Sequence, residues 1–294
     1  MSWIDIAEHS PPLLYGTTVL LGLVAGSFLN VVILRLPRML EAAWTRDCAE
    51  LAGDDGAGTD HPEPARISLA HPPSTCTHCG HRIRAYENIP LLSYLLLGGR
   101  CSACGGTIGV RYPLVEGFTA VLTVAVILHF GLSVQTAPAL LLTWALIALA
   151  VIDYDTQLLP DSMTLPLVWL GLILSLFGVF TDSHSAIIGA VAGYLSLWIV
   201  FHLFRLITGK EGMGYGDFKL LAVLGAWLGW QSLPQIVLLS AFTGASLGVI
   251  LILSGRHARG SPIPFGPFLA VAGWISLIWG EQINRVYLQT VGLG

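Results

Sequence analysis

Two aspartates at the ends of apolar segments are the residues of this chain best suited to chemistry. Asp153 directly follows a long uncharged run, and Asp217 closes the sequence Gly214-Tyr-Gly216-Asp just before another one. A carboxylate beside a lipid bilayer is costly, so an acidic side chain kept there indicates a functional site. The supporting glycines, Gly214 and Gly216, let backbone approach Asp217 closely. The pair therefore predicts a two-carboxylate hydrolase set in a membrane.

The chemistry of such a pair is specific. Two carboxylates within a few ångströms cannot both ionise cheaply, so they share one proton. The ionised partner takes a proton from water, while the protonated partner polarises a peptide carbonyl and later protonates the leaving amine. Taken alone, the two residues leave a second interpretation open, because acids within membranes also serve proton and ion pathways.

Other charged residues lie close to the pair in the sequence. Asp155 is either a solvated residue at the membrane interface or a support for its neighbour. Asp161 follows a proline and precedes an apolar segment, a pattern typical of a helix cap. Lys210 or Lys219 could instead hold Asp217 in a surface salt bridge.

The composition indicates an all-α integral membrane protein. Hydrophobic residues make up 54% of the 294 residues and charged residues only 11%, whereas soluble domains carry about 25% charged residues. Apolar segments predict about eight transmembrane helices, of which the first is a retained anchor. They lie at residues 13–34, 117–152 (two helices, with a break near 131–138), 163–180, 186–204, 220–255 (two helices, with a break near 231–234) and 261–280. The segment 220–230 is short for a full crossing, so it either starts earlier, near Tyr215, or is partly re-entrant.

The basic residues predict the orientation of the chain. With both chain ends outside, eight of the 14 lysines and arginines fall in residues 35–111, three in 205–219 and two more at Arg256 and Arg259, all on one side. Only Arg285 falls opposite. Because basic residues favour the cytoplasm, the insert 35–112 and both aspartates are predicted to face it.

The insert carries two Cys-x-x-Cys motifs. Four thiolates spaced in this way converge tetrahedrally on one Zn²⁺, which would be structural because no open position remains for water. The predicted ligands are Cys76, Cys79, Cys101 and Cys104. The alternatives are two disulfides, which a cytoplasmic location disfavours, or four unrelated thiols. We expect His78 and His81 to be bystanders and Cys48 to be a free thiol.

Three other segments carry weaker expectations. The acidic, Gly-rich residues 41–66 predict an irregular or mobile loop. The apolar residues 91–97 are too short to span a bilayer and would pack on the membrane face, on other helices or as a small core. On the first helix, Gly22 and Gly26 predict close packing with another helix, and Asn30 on the same face predicts an interhelical hydrogen bond.

These motifs, in this order, resemble the bacterial type IV prepilin peptidase and N-methyltransferase family. The resemblance runs almost end to end: it covers residues 26–37, both cysteine motifs with Glu87-Asn-Ile-Pro between them, residues 111–116, Asp153 with 159–161, and 214–219. The Gly-x-Gly-Asp motif alone is weak, but the ordered set is specific. One small departure is Thr77, where a proline commonly follows the first cysteine.

The resemblance implies a bifunctional enzyme. Asp153 and Asp217 would be the catalytic aspartates, which cleave a short basic leader from type IV prepilins and type II secretion pseudopilins. Cleavage would follow a glycine, on the cytoplasmic side of the bacterial inner membrane. The new N-terminal residue, often phenylalanine, would then be methylated with S-adenosylmethionine. We expect prepilin substrates and lipid as partners and no nucleic acid.

The methyl-donor site cannot be derived from a motif. Residues 35–112 contain no Gly-x-Gly-x-x-Gly turn after a strand. The candidates are Glu87, Asn88 and Arg111, for which capping and snorkelling are equally good explanations.

The predicted organisation is a first transmembrane helix at 1–34, a zinc-binding insert at 35–112 and a multi-span peptidase domain at 113–294. Two rival functions remain. One is an intramembrane aspartyl protease without methyl transfer, and the other is a proton-coupled transporter. A transporter predicts broken helices in two related halves, and the sequence shows no such repeat.

Overall fold

The computed structural model of the chain describes residues 11–51, 67–76, 78–210, 212–254 and 264–291. These residues are helical, with two isolated bridges and no strand among them. The chain divides into two compact units, Met1–Ile127 (unit 1) and Leu128–Gly294 (unit 2). The three-part division predicted from the sequence stays a prediction.

Unit 1 is built from three α-helices and one turn of 3₁₀ helix. They are α1 (Pro11–Leu51), the 3₁₀ turn Ala85–Asn88, α2 (Leu92–Leu96) and α3 (Arg111–Phe130), whose last turn lies past the end of the unit. The predicted loop over 41–66 is wrong for its first part, because α1 continues to Leu51. The alanines, leucines and glutamates that follow Arg38 are strong helix formers and outweigh the low hydrophobicity of this stretch. Residues 52–66 lie outside the described residues.

Close packing of α1 on α3 confirms the prediction made from Gly22 and Gly26. A methyl group at Gly22 would lie 2.5 Å from the Cα of Ala120, and one at Gly26 would lie 2.7 Å from the Cα of Glu116. Only glycine lets the two backbones come this near. The predicted interhelical hydrogen bond is also present, because the Asn30 amide donates to the backbone carbonyl of Tyr112 at 3.1 Å.

Unit 2 contains six α-helices among its described residues. They are α4 (Thr136–Thr156), α5 (Asp161–Leu176), α6 (Ser183–Thr208), α7 (Tyr215–Leu228), α8 (Leu233–Leu253) and α9 (Gly266–Val291), with a 3₁₀ turn at Trp230–Ser232 before α8. The short predicted span at 220–230 does begin earlier, at Tyr215. A helix that is apolar on all sides is buried, and the buried residues of α7 run from Asp217 to Trp227 with few interruptions.

Glycines and one tryptophan hold α7 against its neighbours. The backbones of Gly189 on α6 and Gly225 on α7 touch, so neither position has room for a side chain. On the α5 side, the indole N–H of Trp227 donates to the carbonyl of Leu167 at 2.8 Å. This packing fixes the helix whose first turn carries Asp217.

The membrane class predicted from composition is confirmed. Among the described residues, five helices are long and apolar enough to cross a bilayer: Pro12–Leu51, Arg111–Phe130, Thr136–Thr156, Ser183–Thr208 and Trp230–Leu251. The helix Asp161–Leu176 is apolar but shorter. The protein is therefore an all-α, multi-pass membrane protein, and the number of eight spans stays a prediction.

Candidate active site and metal centre

Asp153 lies in the last turn of α4 and points at the start of another helix. Its side chain is buried, and its Oδ2 accepts a hydrogen bond from the backbone N–H of Gly266 at 3.0 Å. Gly266 is the first residue of α9. A helix N-terminus presents free N–H groups and a partial positive charge, so this contact stabilises negative charge on the Asp153 carboxylate.

Asp217 lies in the first turn of α7 and is equally buried, with 5% of its surface exposed. Its Oδ1 has no hydrogen-bond partner among the described residues. A buried carboxylate oxygen left in this way is costly, and such groups are typical of functional sites. The Asp217 backbone N–H donates a hydrogen bond to the Gly214 carbonyl at 3.3 Å.

Unit 2 brings the two acids together, although they are far apart in sequence. Gly216 in the first turn of α7 and Gly266 beside Asp153 both lie against Leu159. Between the segments that carry them lies Leu159, whose Cβ would be 2.6 Å from a methyl group at Gly216. A methyl group at Gly266 would lie 2.6 Å from Asp153 Oδ2 and 3.3 Å from Leu159 Cδ1. A side chain at Gly216 or Gly266 would therefore clash with Leu159, and one at Gly266 would also clash with Asp153.

The remaining charged candidates have other partners than the sequence predicted. Lys219 Nζ lies 2.6 Å from Asp161 Oδ1 in a partly exposed ion pair. The alternative of a salt bridge from Lys219 to Asp217 is therefore not the one that forms, because residues two apart on a helix point to different sides.

The predicted cap at Asp161 is also wrong. This residue is inside the first turn of α5, Pro160 holds the cap position, and no side chain caps the helix there. The Asp161 carboxylate is instead engaged by Lys219. Asp155 is exposed, and its two predicted roles stay open.

Sequence reasoning missed Gly266 and Leu159 as parts of this site. A signal for Gly266 was present: it stands in Pro264-Phe-Gly266-Pro267, and a glycine directly before a proline marks a helix start. Leu159 falls within the family motif 159–161, but the motif gave it no role in the site, because that role depends on where α7 and α9 meet it.

The four predicted cysteines converge in unit 1. Their Sγ atoms all lie within 4.8 Å of one another, and Cys76 Sγ is 3.9 Å from Cys104 Sγ. This set could hold a metal ion. The histidines expected to be bystanders are not part of the cluster, since His81 Nε2 faces Glu87 Oε2 at 3.5 Å. Cys48 is an exposed free thiol, as expected.

The two cysteine motifs share one backbone design, a knuckle. In each, the glycine after the second cysteine donates its N–H to the carbonyl of the first cysteine at 2.9 Å, Gly80 to Cys76 and Gly105 to Cys101. Both glycines have a positive φ, +71° and +69°, which a side chain would oppose. Each knuckle thus turns its two sulfurs toward one point.

Backbone N–H groups favour the metal-binding form of the thiols. The N–H groups of His78 and Cys79 lower the pKa of Cys76 to about 6. Those of Cys104 and Ala103 lower the pKa of Cys101. The pKa of Cys79 behaves differently: the His81 N–H lowers it, but burial and the neighbouring cysteine side chains raise it to about 12. Because the thiolate is the form that binds metal, the backbone prepares the first cysteine of each knuckle for it.

The apolar stretch 91–97 forms α2, a single helical turn. Leu95 and Leu96 are largely exposed, with 71% and 78% of their surfaces accessible, while Ser93 is buried. The stretch therefore does not form a closed core beneath the knuckles.

A cavity of about 420 Å³ lies within unit 1. Residues of the knuckles and residues of α1 and α3 line it. Two predicted cofactor residues, Glu87 and Asn88, line it, whereas Arg111 is not among its lining residues. The pKa of Glu87 lies below its usual range because the N–H of Arg84 and the hydroxyl of Ser102 donate to its carboxylate.

Comparison with known proteins finds a family match in each of the two units. Residues 20–130 match the bacterial peptidase A24 N-terminal domain, and residues 140–249 match the type IV leader peptidase family. Several curated relatives carry the name prepilin leader peptidase/N-methyltransferase. That of Pseudomonas aeruginosa is 55% identical over 99% of both chains, that of Aeromonas hydrophila 53% over 97% of both, and that of Burkholderia pseudomallei strain 1026b 50% over 89% of this chain and 84% of the relative. No solved structure matches the chain.

A multi-pass helical protein with two buried, interacting acids and matches to both peptidase A24 domains is a bacterial membrane peptidase. More narrowly, the chain belongs to the type IV leader peptidase family.

Proposed function

We propose that this enzyme removes the basic leader of type IV prepilins and type II secretion pseudopilins after a glycine and methylates the new N-terminal amine. The observation that carries the peptidase half is the buried pair Asp153 and Asp217 in unit 2. The names of the relatives support both halves. The catalytic roles below follow from the surroundings of each acid.

In the proposed mechanism Asp153 is the ionised partner, because the Gly266 N–H at the start of α9 stabilises its negative charge. It accepts a proton from the attacking water. Asp217, whose Oδ1 is unpaired, holds the shared proton toward the scissile carbonyl and polarises it. When the tetrahedral adduct collapses, the C–N bond breaks and a carboxyl proton passes to the leaving amine. Gly214 and Gly216 keep side chains away from the approaching peptide.

The supporting residues act at a distance from the reacting atoms. The ion pair of Lys219 with Asp161 ties α7 to the start of α5. We assign it a positioning role for the first turn of α7. Asp155 is exposed and would contribute at most to the local charge near Asp153.

The metal that fits the knuckles is Zn²⁺, held by Cys76, Cys79, Cys101 and Cys104. Four converging sulfurs match its tetrahedral preference and leave no place for a reacting water, so its role is structural. Its binding would add folding free energy to a segment with little core of its own.

The unit 1 cavity is the proposed site for S-adenosylmethionine, which supplies a methyl group on a positively charged sulfur. Its volume lies within the range of small-molecule sites. In the transfer, the nitrogen of the new N-terminus forms a bond to the methyl carbon, the carbon–sulfur bond breaks, and the amine proton leaves to solvent. Glu87 and Asn88 offer polar contacts to the donor.

The proposed location is the bacterial inner membrane, with the knuckles and both aspartates facing the cytoplasm. The excess of basic residues on one side supports this orientation. A substrate would enter as an apolar helix whose leader stays in the cytoplasm. Its scissile bond must be extended, because helical peptide bonds are shielded from attack.

The decisive experiment uses purified Asp153→Asn and Asp217→Asn enzymes with a prepilin. Either change should lower the rate of cleavage about 100-fold or more, since each removes an acid–base partner. Glu281→Gln, an exposed change on α9, serves as control and should cleave normally. Full cleavage by either aspartate variant would rule out the pair. Labelled S-adenosylmethionine in the same assay separates this function from a protease without methyl transfer.

A further inference from the structure

Glu116 on α3 is a buried carboxylate that the peptidase chemistry does not use. Only 8% of its surface is exposed, and it lines the unit 1 cavity. Its Oε2 accepts the backbone N–H of Leu91 at 2.8 Å, and the Ser27 hydroxyl also hydrogen-bonds to it. Both partners are neutral, so they satisfy its hydrogen-bonding capacity but not its charge.

The two arginines that line this cavity, Arg35 and Arg38, form no ion pair with Glu116. Arg35, which also lines it, donates to the backbone carbonyls of Ser68 at 3.0 Å and Pro72 at 2.6 Å. Arg38 is exposed. Among the described residues, no ion pair includes Glu116. A buried carboxylate is expensive unless a cation or a metal compensates it.

A bound cation would therefore gain most beside Glu116. Ser27 and Asn30 of α1 and Tyr112 of α3 also line the cavity, and α1 touches α3 at Glu116 through Gly26. Charges interact more strongly in such a place than in water. Of the two reactants of methyl transfer, the donor carries a permanent positive charge on sulfur, whereas the acceptor amine must be neutral to attack. The donor is thus the ligand that needs a fixed negative partner.

We propose that Glu116 is the counter-ion for the sulfonium group of S-adenosylmethionine. This inference rests on the proposed methyl-transfer function and names the residue that would recognise its donor. It also accounts for turnover: the product, S-adenosylhomocysteine, has lost the charge and is held less tightly by the same carboxylate. Glu116 is in this sense a specificity residue that favours donor over product.

The test compares binding of S-adenosylmethionine and S-adenosylhomocysteine by calorimetry to the full-length enzyme in detergent. The wild type should prefer the sulfonium compound. Glu116→Gln keeps an acceptor for Leu91 and Ser27 but removes the charge, so the affinity for the donor should fall about tenfold or more. The affinity for the neutral product should change less than about twofold. Glu116→Asp, which keeps the charge, should retain the preference for the donor.

Controls make each outcome decisive. Glu41→Gln, an exposed change on α1, should leave both affinities unchanged. The zinc content of Glu116→Gln, which depends on the knuckles of unit 1, reports that this unit of the variant is folded. Equal losses for both ligands, or no loss for either, would overturn the assignment of Glu116 while leaving methyl transfer intact. A wild type that binds neither compound and transfers no methyl group would overturn the methyl-transfer proposal itself, and the inference with it.

Discussion

At the scale of single residues, the two acids are distinguished by what their oxygens touch. Asp153 Oδ2 has a backbone donor at the start of a helix, whereas Asp217 Oδ1 has no partner in the described part of the chain. The two acids are similarly buried but unequally hydrogen-bonded. We therefore expect the shared proton to reside on Asp217. The glycine that supplies the donor is part of this arrangement.

Gly266→Ala should disable the peptidase without unfolding the protein. The new methyl group would lie 2.6 Å from Asp153 Oδ2, closer than nonbonded atoms tolerate, so the carboxylate must move. A displacement of about 1 Å at a reacting group costs on the order of 100-fold in rate. We expect a loss of this size in kcat/KM for prepilin cleavage.

Gly244→Ala is the matched control for this change. It also adds one methyl group to a helix of unit 2, but its nearest neighbour is a Phe268 ring carbon at 3.4 Å. It should cleave at close to the wild-type rate. Equal activity of the two alanine variants would show that the contact of Gly266 with Asp153 does not matter.

The residue types of this site could be predicted from sequence, but several partners could not. Asp153 and Asp217 stand out because charge is rare near apolar segments, and the structure does bring them together. The sequence offered Asp217 as one possible partner of Lys219 and did not suggest Asp161, which is distant in sequence and near only once α5 and α7 have packed. Nearness along the chain was a poor guide to pairing there.

At the scale of helices, α7 is the element on which the others of unit 2 depend. It is short, and its sides are buried by neighbours. The patterns along the chain located α7 and offered two alternatives for its short length, of which the earlier start at Tyr215 is the one observed. They did not predict the length of α1, because the acidic, Gly-rich composition of residues 41–66 indicated a loop where helix propensity prevailed as far as Leu51.

Gly225→Ala should destabilise unit 2. Its backbone touches that of Gly189 on α6, so a methyl group forces the two helices apart. Overpacking of this kind typically costs about 1–3 kcal/mol, which thermal unfolding in detergent would report as a lower midpoint. Gly16→Ala, with nothing within 4 Å, should leave the midpoint unchanged. A midpoint for Gly225→Ala equal to that of Gly16→Ala would contradict the close contact.

The knuckles lead to a prediction about metal content. Cys76→Ser or Cys101→Ser should reduce bound zinc well below one atom per chain, because each removes one of four ligands. Mass spectrometry of the purified protein measures this directly. Cys48→Ser, which changes an exposed thiol outside the cluster, should keep the full metal content. Unchanged zinc in the first two variants would refute the site.

At the scale of the whole molecule, the distribution of charge predicts which way the chain is inserted. Thirteen of the 14 lysines and arginines fall on one side if the spans follow the predicted order. Reporter fusions should therefore show residues 35–112 in the cytoplasm and both chain ends outside. A reporter in the insert that is active only outside the cytoplasm would overturn this orientation and the proposed side of cleavage.

The two knuckles also make methylation of the substrate depend on the supply of zinc. Zn²⁺ bound by two sulfurs from each knuckle would close the loop that carries Glu87 and Asn88. All four of its cysteine ligands lie in unit 1. In a cell starved of zinc, we expect this loop to loosen first while the aspartates keep working. Such a cell would assemble its fibres from subunits that have lost the leader but carry an unmethylated N-terminal amine.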